Sequence, residues 1–319
     1  MSHLSLDQQT RVIAALTEGC SIRSTERLTG VNRETVLTLS VRVGEGCRRL
    51  HDGMMRGLQV GLIELDEQWQ YVACKAKNVR EGQDAERGDF YLFVALGATN
   101  KAVLSYVVGK RNGENTLALA RDLHARLVNR PQITADGWAP YTNAIPDTFN
   151  REVDFAQLVK VYQATPGNEA AVRYSPGSIR GTEKTPVCGH PDESKISTSY
   201  VERFNLSTRM SLRRFARLSN AFSKKLENHR AAVSLQVAFY NLVRFHETLR
   251  CTPAMALGVT DHPWTVSELV SAALSAPEPP PLVTSPQGSL DFGMSAAKAK
   301  GEKGGGKPRL FVLKGGRAK

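Results

Sequence analysis

The segment LIELDEQWQYVAC, residues 62–74, decides the fold class because the periodicity of the chain changes there. Before it, apolar residues recur at helical spacing, whereas from residue 62 they come in β-rich runs. Two further runs of this kind are DFYLFVALGA (89–98) and AVLSYVVG (102–109). Together the three runs predict consecutive strands of one sheet, with a polar, charged stretch at 75–89 between the first two.

Helical and strand patterns alternate after these runs. They are the amphipathic GENTLALARDLHARLV (113–128), the short strand QIT (132–134), the helical WAPYTNAI (138–145) and the strand VDFAQLVKVY (153–162). Residues 164–197, rich in Pro, Gly, Ser and Thr, predict a long loop or insertion. Two long helices are predicted at about 199–217 and 224–246. This order predicts an α/β fold, a mixed sheet layered with helices.

Upstream of the sheet, residues 5–51 predict three short helices. Ser5 is a suitable cap for the first, Gly30 ends the second and Asn32 begins the third. A helix, a turn and a second helix, with Arg33 and Thr35 near its N-terminus, fit a helix-turn-helix DNA reader. The alternative is a plain three-helix packing unit.

The net charge of +11 is concentrated in two zones. Residues 200–250 hold ten Lys/Arg against three Asp/Glu, and residues 298–319 hold eight against one. Such zones predict a polyanionic partner and favour nucleic acid. The second zone is a Gly- and Lys-rich tail after a Pro/Ser-rich linker at 275–297, and its composition predicts disorder. It either adds affinity for phosphate or is a solubilising end.

Several classes of protein are disfavoured by the sequence. No run of about 18 apolar residues predicts a membrane span, and the N-terminus lacks the pattern of a signal peptide. The five cysteines are scattered, odd in number and never arranged as CxxC, so they predict reduced thiols and no zinc site. We therefore expect a cytoplasmic protein.

Three acids stand in positions that suit a functional site. Asp66 lies inside the apolar first strand, where a carboxylate is costly to bury unless it is paired or binds a cation. Asp136 ends a short strand just before Gly137, and Glu202 leads a helix that is otherwise basic. The alternatives are a solvated strand face, an ordinary turn aspartate and an acid that complements the helix dipole.

If the three acids converge, their chemistry suits Mg²⁺, which binds carboxylate oxygens together with water and substrate phosphate. Paired metal ions of this kind catalyse phosphodiester cleavage and transfer. On the helix of Glu202, Arg209 and Arg213 recur near one face and could then bind the DNA strand. Solvated faces and ordinary ion pairs remain the alternative, because a chain with 31 acids offers many triplets.

Blocks of sequence around these acids resemble the DDE transposases of bacterial insertion sequences, above all the first-named insertion-sequence family. The blocks are LDEQWQYV (65–72), TADGWAPY (134–141), YVERFNLSTRMSLRRFARLSNAFSKKLENH (200–229) and YNLVRFHETLRCTPAMALGV (240–259). They occur in the order found in that family and span roughly residues 60–260. The chain departs from some relatives in having no cysteine pairs for an N-terminal zinc finger.

The resemblance implies an RNase H-like core in which Asp66, Asp136 and Glu202 are the catalytic, metal-binding triad. It implies Mg²⁺, with Mn²⁺ as a substitute, and double-stranded DNA as transposon end and target. A homo-oligomer in a synaptic complex and association with the bacterial nucleoid follow from that reaction. Asn205 and Arg209 match DNA-contact positions of the family. The full predicted DNA-binding set is Arg33, Thr35, Asn205, Arg209, Arg213, Lys224 and Lys225.

The expected domains are a helix-turn-helix unit (1–55), an RNase H-like catalytic domain (60–260) and a linker with a basic tail (275–319). The expected reaction is cleavage at transposon ends followed by attack of the 3′-hydroxyl on target DNA. A metal nuclease without strand transfer is one alternative. Another is a DNA-binding regulator or a domesticated, catalytically inactive relative.

Overall fold

The computed structural model describes residues 4–82, 85–162, 179–216 and 220–282. Its sheet begins with three antiparallel strands, β1 (Leu62–Val72), β2 (Gly88–Gly97) and β3 (Val103–Gly109). Strand β4 (Gln132–Ala135) pairs parallel to β1 on its other side, and β5 (Asp154–Tyr162) pairs parallel to β4. The resulting strand order, β3-β2-β1-β4-β5, is that of an RNase H-like sheet. The predicted fold class is confirmed.

A sixth strand, β6 (Ile179–Cys188), pairs antiparallel with β5 at the edge of the sheet. Part of the predicted loop at 164–197 is therefore strand, and residues 163–178 lie outside the described part of the chain. The run IRGTEKTPVC contains Gly and Pro, which weaken a strand signal. An edge strand tolerates both, because one of its sides makes no ladder hydrogen bonds.

Helices cover both faces of the sheet. One face packs on α4 (Gly113–Arg126) and α5 (Tyr141–Thr148) through a core that includes Leu65, Phe93 and Leu123. The other packs on α6 (Ser199–Ser211) and α7 (Leu226–Ala238) through a core that includes Leu92, Val94 and Phe204. Strand β2 sends consecutive residues into both cores, which explains its uninterrupted apolar run.

The two long helices predicted near residues 200–246 are shorter than expected. Helix α6 ends at Ser211, because the backbone of Leu212 adopts an extended conformation. The side chains of Leu212 and Phe215 are buried beyond this point. Before α7, Ser223 is held in a bridge to the end of β1, with its carbonyl accepting a hydrogen bond from Ala73 N. This attachment delays the start of α7 to Leu226. Beyond α7, residues 239–243 form a single π-helical turn.

The three predicted N-terminal helices are present as α1 (Leu6–Thr17), α2 (Ile22–Thr29) and α3 (Arg33–Met54). The predicted caps are confirmed. Ser5 and Gln8 form a capping box, Gly30 adopts a left-handed conformation and the side chain of Asn32 accepts from Glu34 N. The function of α2 and α3 as a DNA reader stays a prediction, as do the domain bounds.

Helix α3 packs against α7 and against α9 (Val266–Ser275), a short helix that follows α8 (Pro253–Ala256). Two glycines of α3 permit this approach. A methyl group on Gly44 would overlap the backbone of Ala231 in α7, and one on Gly46 would overlap the carbonyl of Ala273 in α9. No helix among the described residues is long and apolar enough to cross a membrane.

Replacing Gly46 by Ala should lower the free energy of unfolding by about 1–3 kcal/mol, because the added methyl group forces α3 and α9 apart. Gly53, in the same helix, is the matched control, since its nearest neighbour at 4.0 Å is a side-chain atom of Pro279. Gly53→Ala should raise the free energy of unfolding by up to about 1 kcal/mol through helix propensity. Urea denaturation of both variants measures the difference. Equal effects of the two substitutions would contradict the close packing.

Candidate metal centre

Strand β1 and helix α6 are joined by polar side chains on one face of the strand. Glu64 Oε2 accepts hydrogen bonds from the backbone amides of Tyr200 (2.8 Å) and Val201 (2.9 Å) in the first turn of α6. Gln68 Nε2 donates to the carbonyl of Asn205 at 2.9 Å. These bonds lie on either side of Asp66 along the strand and fix the helix against it.

Asp66 lies between these two attachments and is itself bound to α6. Its Oδ2 accepts a 2.7 Å hydrogen bond from Asn205 Nδ2, and its Oδ1 accepts a 2.8 Å bond from Glu67 N. Asn205 is 5% exposed. The side chain of Asn205, predicted to contact DNA, thus holds the carboxylate of Asp66 in this structure.

Asp136 follows the last residue of β4, which pairs with β1 at Leu65. Since the two strands are parallel, Asp136 emerges beside Asp66. Its Oδ1 accepts a 3.0 Å hydrogen bond from Trp138 N, as in an Asx turn. Gln157 Nε2 of β5 donates to the carbonyls of Asp136 (2.9 Å) and Trp138 (3.1 Å) and thereby fixes the loop.

A third acid, Glu67, joins these two. Carboxylate oxygens of Asp66, Glu67 and Asp136 all lie within 4.8 Å of one another, an arrangement that could hold a metal ion. Strand alternation predicts that Glu67 points away from Asp66. However, β4 ends at Ala135, opposite Leu65 of β1. Beyond Leu65 this edge of β1 has no neighbouring strand in the described part of the chain, so side chains from the two faces of β1 can meet around the open edge. The signal available in the sequence was the adjacent pair of acids, Asp66-Glu67.

Arg111 balances part of this negative charge. Its Nη2 lies 3.1 Å from Glu67 Oε2 and 3.8 Å from Asp136 Oδ2. The guanidinium stacks on the ring of Trp138, with 4.0 Å between its central carbon and the ring centroid. Trp138 is fixed in turn by a hydrogen bond from Nε1 to Thr116 Oγ1 at 3.0 Å. Sequence reasoning missed Arg111, which lies in the turn before α4.

Burial and mutual repulsion make these acids weak. Burial, followed by the nearby charge of Asp136, raises the pKa of Asp66 to about 6. The same two causes raise the pKa of Glu67 to about 7. Burial also raises the pKa of Asp136. A divalent cation bound among these carboxylates would relieve this repulsion.

Glu202, the third acid of the predicted triad, lies in the first turn of α6. Its Oε1 accepts a 2.7 Å hydrogen bond from Thr198 Oγ1 and forms an ion pair with Lys160 of β5. The charge of Glu202 is close enough to raise the pKa of both Asp66 and Asp136. It lies outside the group of acids within 4.8 Å of one another, and its place in the triad stays a prediction.

The other residues of the predicted DNA-binding set are spread over three elements. Arg33 and Thr35 are exposed at the start of α3, and Arg209 is half-buried on α6. Arg213, Lys224 and Lys225 are exposed in the segments that follow α6 and precede α7. The second basic zone, at 298–319, lies outside the described residues.

The raised pKa values predict how stability depends on pH when metal is chelated. Asp66 and Glu67 hold extra protons in the folded state between about pH 4 and pH 7, so their contribution to stability falls as pH rises through this range. Asp136→Asn removes one charge and keeps the acceptor for Trp138 N. In EDTA we expect its Tm to equal that of wild type at pH 4 and to exceed it by at least about 2 °C at pH 8.

Asp192→Asn is the control, because Ser194 and Lys195 lower the pKa of Asp192 to about 2. A lowered pKa means that the charged form of Asp192 stabilises the folded protein at high pH, the reverse of the effect at Asp66 and Glu67. This substitution should therefore give no gain in Tm at pH 8. Thermal unfolding of the three proteins from pH 4 to pH 8 measures both effects. A constant difference between wild type and Asp136→Asn across that range would show that the acids do not repel one another.

Comparison with known proteins supports the resemblance noted in the motifs. No protein-family model matches the chain. In sequence it is 25% identical over 174 residues to the insertion element iso-IS1n protein InsB of Shigella dysenteriae, a match that covers 54% of this chain and 90% of InsB.

Among solved structures, the chain is similar to the piggyBac transposase synaptic complex with hairpin DNA, with 8% identity and a TM-score of 0.31. That match covers 79% of this chain but 56% of the piggyBac chain. A Mos1 mariner paired-end complex with Mn matches with 14% identity and a TM-score of 0.19, over 75% of this chain and 77% of that one. The RNase H-like fold is established by the strand order rather than by these scores. The similarity to InsB confirms that this chain resembles the proteins of bacterial insertion sequences.

Proposed function

We propose that this chain is a metal-dependent DNA transposase of the DDE type, which cleaves transposon ends and joins the 3′-hydroxyl to target DNA. The observation that carries the proposal is the meeting of Asp66 and Asp136 at adjacent parallel strands, with carboxylate oxygens within 4.8 Å. The fold and the similarity to an insertion-element protein support the same reaction class.

The acids fit Mg²⁺ or Mn²⁺. Both are hard cations that prefer oxygen ligands, and the cluster offers three carboxylates whose pKa values are raised by burial and repulsion. Asp66 and Asp136 would hold the ion, with Glu202 completing the triad that the family resemblance implies. When bound, the metal supplies Lewis-acid activation of a water or 3′-hydroxyl and stabilises charge on the leaving oxygen.

The protein's own residues orient these ligands. Asn205 holds one oxygen of Asp66 and the backbone amide of Glu67 holds the other, so the orientation of this carboxylate is fixed. Gln157 fixes the loop of Asp136 from the neighbouring strand. Lys160 and Thr198 hold Glu202 in the first turn of α6. Supporting hydrogen bonds of this kind orient the ligands of a metal site and hold each ligand in one conformation.

Glu67 acts differently in this proposal. Its side chain is 1% exposed and is engaged by Arg111, so we assign it to positioning rather than to the substrate. The Glu67–Arg111 pair places a cation 3.8 Å from Asp136 and partly offsets the repulsion between Asp136 and Asp66. Arg111, which Glu67 holds in place, opposes the rise that burial causes in the pKa of Asp136 and so favours its charged form.

The exposed cations after α6 supply a surface for the DNA backbone. Arg213, Lys224 and Lys225 follow the acid-bearing helix along the chain, and phosphate contacts made by such residues position a duplex without reading its sequence. In this proposal α3 acts as a recognition helix, and Arg33 and Thr35, exposed at its N-terminus, contact base edges. Joining both ends of one element requires two active sites, so we expect a homo-oligomer.

Cleavage of a labelled duplex that carries the inverted-repeat end tests the reaction. With Mg²⁺ or Mn²⁺, wild type should nick the duplex, and Asp136→Asn or Asp66→Asn should reduce the rate by more than about 100-fold, because a metal ligand is lost. Asp192→Asn, an exposed acid outside the cluster, is the matched control and should cut at the wild-type rate. Glu202→Gln should behave like Asp136→Asn if Glu202 belongs to the triad.

Binding assays accompany the cleavage assay, because the two readouts separate enzyme from regulator. The catalytic variants should retain DNA binding, since they remove negative charge near phosphate. Tight binding by wild type with no nicking in either metal would contradict the proposal and favour a DNA-binding regulator or an inactive relative.

Salt dependence tests the basic surface. Lys225→Gln should weaken binding to duplexes of any sequence and reduce the slope of log K against log salt by about 1, because one released counterion is lost. Arg121→Gln is the matched control. Arg121 is exposed on α4, which packs on the opposite face of the sheet from α6, and should not alter the slope. Fluorescence anisotropy from 50 to 200 mM salt measures it, and an unchanged slope in Lys225→Gln would exclude that residue from the DNA surface.

A further inference from the structure

A pocket of about 520 Å³ lies between the N-terminal helices and residues 212–214 and 220–224, which follow α6 and precede α7. It shares no residue with the carboxylate cluster. The α1–α2 side contributes Leu16, Thr17, Cys20, Ser21, Ile22 and Arg23. The α6–α7 side includes Leu212, Arg213, Arg214, Phe222, Lys224, Leu235 and Gln236. A pocket of this size accommodates a small organic ligand.

The charge of the pocket is of one sign. Among the described residues its lining includes four cations, Arg23, Arg213, Arg214 and Lys224, and no carboxylate. None of the four forms an ion pair with an acid anywhere in the part of the chain that the structure describes. An anion entering the pocket would therefore meet positive charge that no protein group neutralises.

The positive charge of Arg214 lowers the stability of the folded protein. Its guanidinium donates a 3.0 Å hydrogen bond to Ser223 Oγ, a neutral partner, and burial lowers its pKa. Ser223 has a second partner in His229 Nδ1 at 2.8 Å, so its hydroxyl does not require the arginine. Arg214 is half-buried, and a charge partly withdrawn from water without a counterion destabilises a fold unless a ligand supplies the opposite charge.

Gln236 gives a second, independent indication of a ligand. It is 3% exposed, and its Nε2 donates to Ser211 Oγ at 2.8 Å. Its Oε1 is buried and has no hydrogen-bond partner among the residues that the structure describes. A buried amide oxygen in the lining of a pocket is an acceptor for a donor that those residues do not provide.

The remaining lining is apolar, from Leu16, Ile22, Phe222 and Leu235. Cations, an apolar wall and one unused acceptor match the three parts of a nucleotide, which are the phosphate, the flat face of the base and its N–H donors. We propose that this pocket binds a single nucleotide, with the phosphate at the arginines and lysine and the base against the apolar wall. The nucleotide is either an unpaired residue of a DNA strand or a free nucleotide. The first source rests on the proposed function, and the second is independent of it.

Calorimetric titration of the full chain in EDTA tests the pocket, with 2′-deoxyadenosine 5′-monophosphate as the probe. We expect the nucleotide to bind at least about tenfold more tightly than deoxyadenosine or inorganic phosphate, because each of these lacks one half of the contacts. Equal affinity for nucleotide and phosphate, or no binding of the nucleotide, would overturn the proposal.

Two duplexes distinguish the sources. If the site takes a nucleotide of a DNA strand, a duplex with one unpaired, extrahelical adenosine should displace the probe at lower concentration than its fully paired counterpart. If it takes a free nucleotide, the two duplexes should displace the probe equally or not at all. Binding by Asp136→Asn should equal that of wild type, so a failed cleavage assay and a failed pocket are separate results.

Arg214→Met is the decisive variant, because the two roles of Arg214 predict opposite effects on stability. As a ligand-binding residue, its replacement should weaken nucleotide binding at least about tenfold while Tm without ligand is maintained or raised. As a structural residue, its replacement should lower Tm and leave binding unchanged, which would contradict the proposal. Gln236→Leu should also weaken binding. Arg27→Gln, four residues from Arg23 on α2 and outside the pocket, is the matched control and should bind as wild type does.

Discussion

The attachment of helix α6 to strand β1 is the constraint on which the candidate site depends. An apolar contact alone would allow the helix to slide or rotate, but hydrogen bonds from defined atoms fix its register. Glu64 accepts hydrogen bonds from backbone amides in the first turn of α6, and Asp66 accepts one from the side-chain amide of Asn205. Gln68 donates a hydrogen bond to the backbone carbonyl of Asn205. The carboxylate at the helix N-terminus is further stabilised by the helix dipole. Removal of a partner that leaves a buried polar group unpaired would cost about 1–3 kcal/mol of stability.

The same geometry brings like charges together against their repulsion. The sheet supplies Asp66 and Asp136 on adjacent parallel strands, and burial of these acids raises the pKa of both. Arg111 and Lys160 offset part of the charge from opposite sides, the first at Glu67 and the second at Glu202. Neither cation contacts Asp66. A protein that maintained this arrangement only for stability would gain by replacing the acids with apolar residues. Their convergence is therefore one reason for which we propose a bound cation.

Much of this could be predicted from the sequence, and the failures have physical reasons. Strand alternation placed Asp66 on the face of Glu64 and Gln68, and the short strand before Gly137 placed Asp136 at the end of a strand. Glu67 was missed because alternation describes one strand, whereas the space around β1 depends on where its neighbour β4 stops. The end of α6 was missed because it depends on burial of Leu212 and Phe215 in a core formed by distant segments. Strand β6 depends on pairing with β5 rather than on its own composition.

The charge pattern of residues 198–225 becomes intelligible once α6 is placed. A single acid, Glu202, lies at its first turn near the carboxylates, while Arg213 follows its last turn and precedes Lys224 and Lys225. A helix of 13 residues is about 20 Å long, which corresponds to roughly six phosphates along one strand of B-DNA. A strand that followed α6 would thus meet the acids at one end and the cations at the other. In the proposed reaction, a strand held by these cations would extend along α6 to the acids, where its scissile phosphate could reach a metal ion bound by the carboxylates.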